Sequence, residues 1–411
     1  MTKRQVKSIE SLVMNNAVSR ALSIAVKPPD FASGPEVADQ LSEMFTRNDA
    51  PQRAQLPTPS NETLSELEGH IFEELFHLPA MRGAGPTGTF YEHIRPASGQ
   101  EDDARTLAKV LAMLPAASAP AEAIRVHRSA KLSAQHNPAT PPRSRGVRPL
   151  GSGSSFWRVA MRGWVRMFRD EAREACGTTQ YGIGTKGACT ALRVDLQLEW
   201  MCEPDKALLG IDLRNMHGRV RTAHLEHQVA HRVPRMLELM GWVRIPRSHV
   251  YPDGQGGLHR IDASDGLDQG CPASNILAPI SIADCHEELA DYGSVYGLQD
   301  DTYLLADKAR IQVVCDQLPA IFAPAGQEIV MHKCWVATPT PCSTGASGIP
   351  CTQTPPEVLR LPLPIPDATG AIVYTDAPIE ERIQTRRARP SSWCHGSAPR
   401  ATRTIQRSRF P

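Results

Sequence analysis

Asp212 ends the apolar run Leu208-Leu209-Gly210-Ile211, and 88 residues later Asp300 and Asp301 stand side by side within Leu298–Thr302. Carboxylates gathered from distant strands are what nucleotidyl transfer requires. Magnesium takes hard oxygen ligands, and two ions about 4 Å apart bracket an in-line displacement at phosphorus. One ion activates a primer 3′-hydroxyl while the other neutralises the leaving pyrophosphate. An adjacent Asp pair is weak on its own, because aspartate serves many turns. The strand-borne Asp212 upstream, and a Gln269-Gly270 loop leading into a helix between the two places, strengthen the pattern.

Elements to position these residues are legible in the apolar spacing. Ala207–Leu213 reads as a buried strand, and Val295–Leu305 as two apolar strands joined tightly near the aspartates. Pro272 stands where a helix starts, with Ile276, Leu277, Ile280 and Ala283 on its apolar face. Leu107, Val110, Leu111 and Leu114 fall at i, i+3, i+4 and i+7 and predict another helix face. Phe156–Arg173 is the clearest amphipathic helix, with Trp157, Met161, Trp164, Val165 and Phe168 along one side. Arg158, Arg162, Arg166, Arg169 and Arg173 recur along another, as a solvated face or a phosphate-contacting stripe. A Pro-rich basic loop is expected over His136–Arg148.

The 411 residues carry 45 basic and 44 acidic side chains, a net charge of +1. Any phosphate-binding surface must therefore come from local segregation of charge. The basic start, MTKRQVKSIESLV, lacks a signal-peptide core, and no run of about 18 apolar residues predicts a membrane span. Ten cysteines without a CxxC pair read as reduced thiols. The expected setting is inside the cell, in nucleus or cytoplasm, and neither secreted nor membrane-bound. Three regions are expected: a poorly packed extension over 1–65, a folded unit over 66–336, and a Pro/Arg-rich, disordered tail over 337–411. That tail holds 12 prolines, about threefold the usual share.

The order of these segments resembles the reverse transcriptases of non-LTR retrotransposons, over roughly residues 75–336. Gly85-Pro86-Thr87-Gly88 with Tyr91-Glu92-His93 is similar to the GPDG…EHL element that opens the fingers. Gly146-Val147-Arg148-Pro149-Leu150 is similar to GxRPI, and Gln180-Tyr181-Gly182 with Gly187-Ala188 to QFG…GGA. Ile211-Asp212-Leu213-Arg214-Asn215 resembles the first palm motif, Gln269-Gly270-Cys271-Pro272 the QGxP loop, and Asp300-Asp301 the YxDD box. Ala325-Gly326 through His332-Lys333-Cys334 resembles GLxLNxxKC.

The resemblance implies an α+β, right-hand polymerase fold of fingers and palm, with an antiparallel palm sheet backed by helices. It implies an RNA-directed DNA polymerase, a nucleotidyltransferase acting on RNA template, DNA primer and dNTPs. Asp212, Asp300 and Asp301 would ligate two Mg²⁺ ions, with Mn²⁺ as a substitute. Arg148 and Lys333 would face the triphosphate, and Gln269 and Gly270 the template and nucleotide. Arg158, Arg162 and Arg166 are the candidates for nucleic-acid contact.

Departures from that pattern bear on activity. His217 occupies the position five after Asp212, where the family carries an aromatic gate against the ribose 2′-hydroxyl. Leu298 and Gln299 precede the aspartates in place of an aromatic and a small residue, and no thumb reads after Val336. Two rivals follow: a catalytically inactive RNA-binding remnant, and an RNA-dependent RNA polymerase. Other groupings weigh less. His224, His227 and His231 share a helical face and read as polar surface before zinc ligands. Gly182, Gly184 and Gly187 lack a dinucleotide fold's preceding strand. Asp262 and Asp265 read as turn residues, and Cys271 as a structural thiol.

Overall fold

The computed structural model describes residues 30–45, 55–79, 83–136, 146–339, 347–353, 357–358 and 361–362. The chain begins with β1 (Phe31–Ala32), α1 (Glu36–Ser42), α2 (Asn61–Leu75), α3 (Tyr91–Ile94), α4 (Glu101–Ala112) and α5 (Ala121–Arg128). It continues through β2 (Ala130–His136), β3 (Val147–Gly153), α6 (Ser155–Ala175), α7 (Ala188–Cys202), β4 (Ala207–Ile211), α8 (Met216–Arg219) and α9 (Thr222–Arg232). Next come β5 (Arg247–Pro252), β6 (Leu258–Ala263), α10 (Ser274–Ser281), α11 (Ala283–Ala290), β7 (Gly293–Leu298) and β8 (Asp301–Ala306). Then follow α12 (Lys308–Phe322), β9 (Trp335–Ala337) and β10 (Cys351–Thr352). The mixture is α and β, consistent with the expected α+β class.

Two mixed sheets organise these elements. The first runs β1-β2-β5-β6, with β3 also paired to β2. In it β2 and β3 form an antiparallel hairpin from Ala130↔Gly153 to His136↔Val147, and β2 meets β5 in parallel at Lys131↔Val250. Both His136 and Arg148, expected in a loop, are therefore strand residues; 137–145 of that loop lie outside the described residues.

The second sheet runs β10-β9-β4-β8-β7, with β9 and β10 parallel and the rest antiparallel. All five residues of β4 are buried, because helices cover both faces of the sheet. Alternation along each strand divides them. Leu209, Ile211, Val295, Leu304 and Val336 join the main core with α10, α11 and α12. Leu208, Tyr296, Tyr303, Leu305 and Ala337 pack instead with Leu192, Leu196 and Trp200 of α7.

α6 spans the main core as its spacing predicts: Trp157, Met161, Trp164 and Phe168 are buried, and Val165 packs at the edge. α4 departs from its expected face. Val110 is 55% exposed, whereas Ala104, Ala108 and Leu111 are buried, since the small alanines let this helix lie close to α2.

The outer regions also need correction. Residues 30–45, expected to be poorly packed, supply β1 and α1, and Val37, Ala38, Leu41 and Phe45 form a core with Leu132, Val147, Tyr251 and Ile261. α2 starts at Asn61, ahead of the expected boundary at 66, because the Ser60 side chain accepts the Thr63 N–H and caps it. Beyond Val336, β10 extends the second sheet, and Ile349 and Val358 are buried. Residues 1–29 and the basic end of the tail lie outside the described residues. No helix among the described residues is long and apolar enough to cross a membrane.

α2 and α6 pack closely at Gly163. A Cβ there would lie 2.5 Å from Ile71 Cγ1 and 2.8 Å from Ile71 N. Alanine at a helical glycine ordinarily gains about 1 kcal/mol of propensity, but overpacking against a backbone costs about 1–3 kcal/mol. Gly163→Ala is therefore expected to lower the urea unfolding midpoint, and a raised midpoint would contradict this packing.

Candidate active site

The register of β4 against β8 decides what stands near Asp212. The strands pair from Ala207↔Ala306 to Ile211↔Thr302, so Asp212 directly follows the last paired residue of β4 and Asp301 directly precedes its partner on β8. Asp301 also closes the β7–β8 hairpin opposite Leu298, leaving Gln299 and Asp300 as the turn. Gln299 adopts a left-handed backbone, φ 58°, which is uncommon for a residue with a side chain.

A clamp holds this turn from the side. The Gln180 side-chain oxygen accepts the N–H groups of Gly182 and Gln299, both at 2.9 Å. Gln299 Nε2 in turn donates to the carbonyls of Gly182 and Asn275, and Tyr181 N donates to Gly297 O at 2.7 Å. Behind the turn, His286 of α11 is buried, with Nε2 3.1 Å from Thr302 Oγ1. Neither Gln180 nor His286 was singled out as a site residue from sequence. The QYG segment was visible there, but its partner across the fold was not.

Segment 329–334 grips Asp212 from the other side. Val330 N donates to Asp212 O at 2.9 Å, Asp212 N donates to Cys334 Sγ, and Leu213 bridges Ile329. This places Lys333 Nζ 3.7 Å from Asp212 Oδ1, with both side chains about two-fifths exposed. Arg148, exposed on β3, acts on the same carboxylate. Burial raises the Asp212 pKa; Lys333 and Arg148 oppose that shift, and Asp300 adds to it. His217 belongs to the same neighbourhood: burial lowers its pKa, against the pull of Asp300 and Asp268.

The Gln269-Gly270 loop reaches this place by docking on β3. Gly151 N donates to Gln269 O at 3.1 Å. Gly270 has φ 113°, and a Cβ there would strike Gly151 O, so both its conformation and its closeness require glycine. Gln269 and Gly270 are exposed beside β3. Thus Asp212, Asp300, Asp301, Lys333, Arg148 and His217 come to one end of the second sheet, with Gln269 and Gly270 in the loop docked on β3. The carboxylates are not gathered into a ready-made metal cluster: among the described residues no group of three or more His, Cys, Asp or Glu is arranged to hold an ion. His224, weighed as a zinc ligand, instead lies 3.3 Å from Asp284. Cys271 Sγ accepts from Trp157 Nε1 and is buried, as a structural thiol would be.

The arginine stripe of α6 has partners within the fold. Arg158 donates to Gly83 O at 2.7 Å and covers the Tyr91 ring, Arg162 pairs with Glu74 at 2.6 Å, and Arg166 with Glu73 at 2.6 Å. These cations tie α6 to α2 and α3, because Glu73 and Glu74 of α2 pack directly against them, although Arg162 and Arg166 keep part of their surface exposed.

Two outcomes follow. Arg162→Ala leaves Glu74, a largely buried carboxylate, with only the longer Arg166 contact, so it should destabilise the fold by about 1–2 kcal/mol. The salt dependence of RNA binding should stay unchanged; a slope reduced by about one would restore the stripe to nucleic-acid contact. Burial lowers His286 to about 4 from 6.5. A depressed pKa contributes stability that is present above pH 6.5 and lost as pH falls toward 4. His286→Gln should therefore flatten the pH dependence of the thermal midpoint across that window, and an unchanged slope would contradict the assignment.

No family model matches the chain, and no curated protein matches it. Among solved structures it is similar to a telomerase from Candida albicans in complex with a TWJ fragment of telomeric RNA, at 14% identity and a TM-score of 0.41. The likeness covers 60% of this chain and 47% of the telomerase chain, so the chain spans about half of that protein's length.

Proposed function

We propose that this chain is an RNA-directed DNA polymerase of the retrotransposon reverse-transcriptase kind, with β4, β7, β8 and β9 as its palm sheet and β2 and β3 in its fingers. One observation carries the reading: Asp212, Asp300 and Asp301 come to the same sheet end as Lys333 and Arg148, from four separated stretches of chain. A nucleotidyl-transfer site needs acidic ligands beside basic groups for a triphosphate.

The donor set suits Mg²⁺, or Mn²⁺ in its place. Asp212, Asp300 and Asp301 offer hard oxygens, and the Asp212–Asp300 repulsion is of the kind a cation relieves. When bound, two such ions supply charge neutralisation at the attacking and leaving oxygens. The protein's own side chains do the rest. Lys333, 3.7 Å from Asp212, would neutralise charge on the leaving pyrophosphate and hand it a proton. Arg148 holds the triphosphate from the fingers side. Gln269 and Gly270 shape the seat of the template base and incoming nucleotide, and His217 lies beneath the ribose position.

A second reading, an inactive RNA-binding remnant, is favoured by the absence of a gathered metal cluster among the described residues. Its proposed RNA-binding stripe, however, is engaged in ion pairs with α2. Primer extension on an RNA template separates these readings. The expected outcome is Mg²⁺-dependent dNTP incorporation that falls about a thousandfold in Asp300→Ala, the scale of losing transition-state charge stabilisation. RNA binding without incorporation by the wild-type chain would sink the polymerase reading in favour of the remnant. Preference for rNTPs over dNTPs would assign His217 a ribonucleotide-accepting gate and make this an RNA-dependent RNA polymerase.

A further inference from the structure

Immediately before Gln269, the Asp268 carboxylate is buried among three basic side chains from other elements. Arg247 Nε donates to Asp268 Oδ1 at 2.6 Å, and His249 Nε2 lies 3.1 Å from the same oxygen. His249 Nδ1 accepts the Ala130 N–H at 3.1 Å, so the ring proton sits on Nε2 and faces Asp268. Arg247 Nη2 also donates to the carbonyls of Asp265 and Gly266. Arg128 completes the cluster from α5, anchored through Nη1 to the carbonyls of Trp242 and Ile245. Burial by itself would raise the Asp268 carboxyl, but Arg247, His249 and Arg128 hold it well below the ordinary carboxylate range.

Two small gaps of about 10 Å³ each flank this loop, lined by Gly151, Asp268 and Gln269 on both sides. Gln269 and Gly270 themselves are exposed. The loop is tied to the first sheet by the charged contact at Asp268, by the Arg247 bonds to the carbonyls of Asp265 and Gly266, and, at Gln269 itself, by the Gly151 N–H donated to Gln269 O.

We propose that Asp268 is a positioning residue: through the buried Arg247–Asp268–His249 contact it holds Gln269 and Gly270 in register with β3, and so sets the nucleotide seat between the two sheets. The inference rests on the polymerase reading above. Gln269 and Gly270 are held against the first sheet while the carboxylates lie at the end of the second, so loosening the Asp268 contact would shift one half of the seat against the other. Misplacement of a binding group by about 1 Å weakens its use of binding energy severely.

The test uses the full chain and two variants. Asp268→Asn leaves Arg247 buried without its counter-charge, which threatens folding; the double variant Asp268→Asn with Arg247→Met removes both charges together and avoids that penalty. In the double variant, with a thermal midpoint near wild type, KM for dNTP should rise about tenfold while kcat stays within about twofold, the signature of lost ground-state positioning. Hydrogen exchange at the Gly151 amide should accelerate about tenfold, with β4 and β8 amides unchanged. A folded double variant with wild-type KM and wild-type exchange at Gly151 would overturn the proposal. Accelerated exchange with unchanged KM would overturn it too, by showing a tether that does not reach the nucleotide. Failure of the wild-type chain to bind dNTP at all, measured by equilibrium dialysis, would remove the polymerase reading itself, and this inference with it.

Discussion

The antiparallel pairing of β4 with β8 is the constraint on which the candidate site depends. Through five successive backbone pairs it brings Asp212, just past the end of β4, and Asp301, at the start of β8, to the same end of the sheet. A slip of one residue would turn every side chain of β8 to the other face and bury the aspartate against the helices. Register is protected by the sheet's apolar division, with Leu209 and Leu304 on one core and Leu208 and Leu305 on another. The site geometry is therefore maintained by residues that have no chemistry of their own.

Around that pairing, the polar contacts act as clamps. Gln180 and Gln299 hold a turn whose left-handed residue would otherwise favour glycine, and segment 329–334 holds the other flank. Backbone held in a sparsely populated region persists only where its surroundings over-determine it. Four hydrogen bonds to or from Gln299 supply that surplus. The result is a carboxylate pair presented at an exposed edge by a buried scaffold.

The same accounting explains the distribution of basic residues. Arg128 and Arg247 are fully buried, Arg232 pairs with Glu287, Arg244 with Glu226, and Arg162 and Arg166 with α2. Much of the arginine complement is thus structural, in keeping with a net charge near zero. Lys333 and Arg148 differ from these in their setting: Lys333 just before β9 and Arg148 on β3 of the first sheet are both exposed and act on Asp212. Charge near the candidate site is local, whereas charge elsewhere joins helices.

By itself, the sequence determined the elements whose signal is local. Period-3.6 spacing marked α6, the apolar run marked β4, and Val295–Leu305 marked the hairpin with its aspartates at the turn, because periodicity and turn chemistry are properties of neighbouring residues. It also singled out Asp212, Asp300, Lys333 and Arg148, which the fold brings together. Tertiary structure alone decided how the remaining residues were used. Glu73 and Glu74 lie far from α6 along the chain, so nothing local disclosed that they would occupy its arginines. Arg247 and His249 alternate inward on β5, a pattern that period-2 reading could register, but their partner Asp268 belongs to a loop whose position depends on two sheets meeting. Residues 30–45 looked unpackable because their apolar partners are β2, β3, β5 and β6. Ion pairs and cores of that kind join residues distant in sequence, and only the closed fold sets their distances.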